Sequence, residues 1–68
     1  MLNGNKIKGR MRELGIVQAD VAKALNLAEA SVSLKLCGKR PMDLDEAKKL
    51  ADMLNISKEE FGAYFFGS

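Results

Sequence analysis

Apolar residues recur along this chain at intervals of three and four, and no period-2 run of β-branched residues predicts a strand. Ile7, Met11 and Leu14 stand at i, i+4 and i+7, which predicts a first helix over 6–14 with one buried stripe. Gly4 and two Asn discourage helix ahead of it, so residues 1–5 are expected to form a loose arm. Gly15 suits the C-terminal cap, and Ile16 and Val17 lead to a second helix that opens at Gln18. Its seam is Val21, Ala22 and Leu25. Asn26 falls where the chain must turn, and Asn tolerates the left-handed conformation of such a corner. Leu27 plugs the corner. A third helix is expected over 28–37, with Val32 and Leu36 spaced i, i+4 toward the core. Gly38 stops it, and Pro41 keeps the next loop from being helical.

The second half follows the same rule. Asp43 and Glu46 form a capping-box-like pattern for a fourth helix. Its residues Leu44, Ala47, Leu50, Ala51 and Leu54 repeat at helical spacing and are expected in the core. Asn55 ends it. Ser57 and Glu60 make a second capping box, and Ile56 and Phe61 occupy the two positions of a hydrophobic staple. That predicts a fifth helix from about Lys58 to about Phe65. The sequence shows no repeat, low-complexity run or internal linker. A compact all-α domain of five helices is expected over 1–68, its organising stretch being the two short helices and corner of 18–37.

Length narrows the possibilities. Sixty-eight residues make one domain that buries only roughly 60% of its unfolded surface, so stability is expected to be marginal and helped by a partner. The single Cys37 excludes an internal disulfide. With no His and one Cys, the chain has no credible metal set and lacks general-base and nucleophilic machinery. Neither an enzyme nor a cofactor is expected. No apolar run is long enough to span a membrane and no signal-peptide pattern opens the sequence, so a cytoplasmic location is expected.

The formal net charge of +2 decides little, but its distribution is informative. Residues 1–40 carry eight Lys/Arg against three acids, a net +5, while 41–68 carry three Lys against six acids, a net −3. Such asymmetry suits a chain that presents one face to a polyanion, and is equally open to being a solvated surface.

Taken in order, these pieces resemble the phage-repressor/Cro-type helix-turn-helix family. The resemblance rests on Ile7 through Leu14-Gly15, the Gln18-Ala19-Asp20-Val21-Ala22 opening, the Asn26-Leu27 turn, Ser31-Val32-Ser33, and the closing Gly38-Lys39-Arg40-Pro41. It continues through Leu44, Ala47, Leu50-Ala51, Leu54-Asn55-Ile56-Ser57 and Phe61, and so covers roughly residues 5–65. It implies a lambda-repressor-like DNA-binding domain whose third helix enters the major groove of double-stranded DNA. It further implies a homodimer on a palindromic operator, with two reading helices in successive major grooves. A small transcriptional regulator, a phage or prophage repressor or Cro-like protein acting by promoter occlusion, is the resulting expectation. No residues remain for a sensor domain, so no small-molecule ligand is expected. The alternative is an antitoxin-like module that binds a partner protein through its C-terminal aromatic face.

The expected contacts follow. In the family the Gln at the start of the second helix touches the DNA backbone, which implies that role for Gln18. With Val32 and Leu36 inward, Ala30, Ser33, Leu34 and Cys37 point outward, flanked by Glu29 and Ser31. Ser33 can meet a base edge or phosphate, Glu29 can accept from a cytosine amino group, and Ala30 and Leu34 can meet thymine methyls. Lys35 stands where the family often has an aliphatic residue. Its stem is expected to lie on the core, with the ammonium reaching either a phosphate or an ion-pair partner. The family's loop after the reading helix contacts phosphate, which implies that role for Lys39 and Arg40. Val17 and Ala28 stand where the family often has Ser or Thr caps. At the other end, Phe61 and Phe65 share a face and close the core, leaving Tyr64 and Phe66 either to fold back or to form a dimer contact.

Overall fold

The computed structural model describes residues 2–66, and among them the chain is entirely helical with no strand. The helices are α1 (Gly4–Leu14), α2 (Gln18–Leu25), α3 (Glu29–Leu36), α4 (Leu44–Met53) and α5 (Lys58–Phe65). Their radius of gyration, 10.6 Å, matches the roughly 11 Å of a compact chain this long.

All five helices contribute to one core of Ile7, Met11, Val21, Ala22, Leu25, Val32, Leu36, Ala47, Leu50, Ala51, Leu54 and Phe65. The i, i+4 pairs Ile7/Met11, Val21/Leu25 and Val32/Leu36 are the buried stripes that the apolar spacing predicts. Two stripes end sooner than the pattern suggests. Leu14 is 37% exposed and Leu44 is 53% exposed, because each sits in a terminal turn that overhangs the core. Phe61 and Phe65 stack with ring centroids 4.7 Å apart, and Ile56 and Phe61 pack against the core as a staple does.

The first helix begins two residues before its expected start. Asn3 is its N-cap, its side-chain oxygen accepting from the Lys6 N–H at 3.1 Å, so the Asn expected to loosen the arm instead closes the helix. The arm itself is anchored: Leu2 packs against the core and the Asn3 N–H donates to the Tyr64 carbonyl at 2.8 Å. Gly4 lies so close to α3 that a Cβ there would fall inside contact distance of the Leu36 carbonyl oxygen. Only glycine permits this approach of the α1 N-terminus to the α3 C-terminus, where opposite ends of two helix dipoles meet.

The turns repeat one device. Gly15, Asn26, Gly38 and Asn55 all have positive φ, at 70°, 57°, 80° and 54°. Each donates its N–H three residues back, and the next residue donates five back, as in Ile16 N–H to Met11 O at 2.9 Å and Leu27 N–H to Ala22 O at 2.9 Å. These are Schellman motifs, which satisfy carbonyls that the helix end leaves without partners. The third helix is one residue shorter at each end than expected, with Ala28 and Cys37 serving as its caps.

Candidate functional site

The α2–α3 corner differs from the other helices at its ends. Helices α1, α4 and α5 each have a side-chain N-cap: Asn3, Asp43 and Ser57 accept from Lys6, Glu46 and Glu60 backbone N–H groups at 3.1, 2.8 and 3.3 Å. Neither α2 nor α3 has one, since Val17 and Ala28 carry no acceptor. At α2 the Asp20 carboxylate accepts from the Val17 N–H at 3.0 Å, but no side chain answers the first-turn N–H groups. Two adjacent helices thus present N-termini without a side-chain cap, each with one acid in its first turn, Asp20 and Glu29.

The C-terminal ends differ as well. After the positive-φ residue, α1, α2 and α4 place Ile16, Leu27 and Ile56, each packed against the core. This is the apolar contact that usually accompanies a Schellman motif. After Gly38 the corresponding residue is Lys39, exposed, its N–H donating to Leu34 O at 3.0 Å. The end of α3 has a cation where its counterparts have a buried aliphatic side chain.

Of the outward residues of α3, Glu29, Ala30 and Cys37 are exposed, while Ser33 and Leu34 are half-buried. Gln18 is half-buried at the N-terminus of α2, about 12 Å along that helix from the corner. Lys39 and Arg40 are exposed and are brought back onto α3. The Arg40 N–H donates to the Leu34 carbonyl at 3.3 Å and its Nη1 donates to Ser31 Oγ at 3.3 Å. Ser31 was expected only on the flank. No spacing rule links it to Arg40, nine residues further on beyond the end of α3.

Lys35 resolves to one of its two expected roles. Its Nζ lies 2.6 and 2.8 Å from the two Glu46 carboxylate oxygens, with only 12% and 16% of the two side chains exposed. The ammonium is therefore held by Glu46 of α4. Glu46 Oε1 also accepts from the Asp43 N–H at 3.1 Å. One carboxylate thus ties α3 to the start of α4 across the loop holding Lys39 and Arg40. On the other side of α3, Lys8 Nζ stands 3.9 Å from Cys37 Sγ.

The two aromatic residues expected at a dimer contact separate. Tyr64 is half-buried against the core, with Lys6 Nζ 5.0 Å from its ring centroid. Phe66 remains 65% exposed. It borders a mainly apolar groove with Leu2, Met42, Leu44 and Phe65, which Lys35, Arg40 and Asp43 also line. No helix among the described residues is long and apolar enough to cross a membrane.

Fold and site together define a small, compact all-α protein built around a two-helix corner with open ends. The chain belongs to the family described as protein of unknown function (DUF739), which it matches over residues 2–68. A comparison with curated protein sequences finds no match.

Proposed function

We propose that this protein is a sequence-specific regulator that binds double-stranded DNA through the α2–α3 corner, in the manner of a lambda-repressor-like helix-turn-helix domain. The observation that carries the proposal is the contrast between helix ends. Three helices close their N-termini with side chains; the two corner helices leave theirs open. Open N-termini bind phosphate readily. The cation after α3, in place of a buried aliphatic residue, adds a second phosphate-seeking element beside them. Gln18 sits at one such terminus and Lys39 at the other flank, which frames α3 for the major groove. Its outward Ala30 and Leu34 meet thymine methyls, Ser33 meets a base edge or phosphate, and Glu29 meets a cytosine amino group.

A homodimer on a palindromic operator completes the proposal. Phe66 and Leu44, 65% and 53% exposed on one apolar groove, supply its contact surface, and a phage or prophage repressor or Cro-like role in the cytoplasm follows. Duplex affinity measured against salt tests the binding. Affinity should fall steeply with rising salt, and Lys39→Ala should lower the slope by about one. Wild-type protein that fails to enrich any sequence from a random duplex pool at low salt would refute the regulator. Sedimentation of wild type and Phe66→Ser tests the dimer, and a monomer in both cases removes it.

A further inference from the structure

The outward face of α3 is poor in hydrogen-bonding groups. Ala30 and Leu34 have none to offer, Lys35 is held by Glu46, and Ser33 is half-buried. Yet one strong donor lies beside that face. Arg40 is anchored at both ends to α3, through its backbone N–H to the Leu34 carbonyl and through Nη1 to Ser31 Oγ. Those two anchors are three residues apart, about 4.5 Å along the helix. The side chain therefore runs back along α3 instead of projecting from the loop. A guanidinium carries five N–H donors in a fixed plane. The Ser31 bond engages Nη1, and Arg40 is exposed.

We propose that Arg40 is a base-reading residue, specific for the major-groove edge of guanine, and that Ser31 is the positioning residue that holds its guanidinium against α3. Guanine presents two acceptors, N7 and O6, spaced for a planar bidentate donor. A phosphate can also take an arginine fork; what favours the base edge is that the Ser31 bond lays the guanidinium along α3, the helix proposed to enter the groove. Ser31 reduces the freedom that a long arginine would otherwise lose on binding, so the fork meets the base already aligned. The inference rests on the DNA-binding reading and adds to it one base identity per half-site.

Selection from a random duplex pool, repeated for five variants, tests it. Wild-type protein should enrich a site with a guanine in each half. Arg40→Ala should lower the preference for that guanine by roughly ten- to hundred-fold while leaving the other positions enriched. Arg40→Lys should keep the salt slope and retain part of the guanine preference, since lysine also reaches O6 and N7. Ser31→Ala should weaken the preference in the wild-type background and have no effect in the Arg40→Ala background, whereas Ser31→Thr should retain it. Circular dichroism melts confirm that each variant folds. If Arg40→Ala weakens all sequences alike, Arg40 is a phosphate contact and the inference is overturned with DNA binding intact. If Ser31→Ala acts equally in both backgrounds, the positioning role is overturned. A wild-type pool without any enriched sequence overturns the DNA-binding reading itself.

Discussion

Replacing glycine with alanine at two positions of α1 should change stability in opposite directions. Helix propensity alone favours alanine over glycine by about 0.5–1 kcal/mol in a helix interior. Gly9 has nothing within 4 Å of the place a Cβ would occupy, so Gly9→Ala should gain that amount. Gly4 differs because its Cβ would collide with the Leu36 carbonyl oxygen and lie 3.3 Å from the carbonyl carbon. Both obstacles are backbone, so no side chain can swing aside. Either the first turn of α1 must lift from α3 or the last turn of α3 must move. Overpacking of this kind costs about 1–3 kcal/mol. Subtracting the propensity gain leaves a net loss of up to about 2.5 kcal/mol for Gly4→Ala. For a domain of this size each kcal/mol moves the midpoint by about 4–8 °C. Thermal melts should therefore show Gly9→Ala a few degrees above wild type and Gly4→Ala below it, by up to roughly 20 °C. Both substitutions restrict the unfolded chain similarly, so the difference between them isolates the contact. Equal stabilisation by the two would refute the close approach of α1 to α3.

Glu46→Ala should cost about 1–3 kcal/mol in denaturant unfolding, because it leaves the Lys35 ammonium half-buried and unpaired; the double replacement Lys35→Met with Glu46→Leu should recover most of that loss. Asp43→Ala and Ser57→Ala should each cost about 1 kcal/mol, whereas Ala28→Ser, by adding the missing acceptor at the start of α3, should stabilise by about 0.5–1 kcal/mol in the same assay. Lys39→Leu should stabilise by about 0.5–1 kcal/mol by half-burying an aliphatic side chain on Leu34, and should weaken duplex binding; stabilisation with unchanged affinity would remove Lys39 from the interface.

Most of the architecture was legible because helix boundaries here are set by local chemistry. Gly15, Asn26, Gly38 and Asn55 each stand where the chain needs positive φ, and Asp43 and Ser57 mark their helix starts with residues that can accept a backbone N–H. The start of α1 was misplaced because asparagine has two uses. It disfavours a helix interior yet closes a helix N-terminus, and the second use wins when Asn3 is also tethered to Tyr64. Leu14 and Leu44 fit the apolar period but lie in end turns, and a period cannot tell where the core stops. The candidate site was legible in its position and less so in its connections. Partners of Lys35 and Arg40 lie eleven and nine residues away, across a loop whose path no periodicity gives.

The open ends of the corner have a physical consequence beyond the contacts they supply. A side-chain cap contributes about 1 kcal/mol to a helix, and a 68-residue chain has little stability to forgo. Two N-termini without side-chain caps on adjacent short helices therefore weaken the fold locally. What compensates is tertiary. Val21, Ala22, Leu25, Val32 and Leu36 bury both helices against α1 and α4, Glu46 grips α3 from one side, and Gly4 lets α1 brace its last turn from another. The corner is thus held by its neighbours more than by its own ends. An acceptor arriving at those ends, such as a DNA phosphate, completes hydrogen bonds that the fold leaves unmade. Binding and stability are then linked: a ligand that bonds only the folded corner must raise the unfolding midpoint, and the gain grows with the logarithm of free ligand above its Kd.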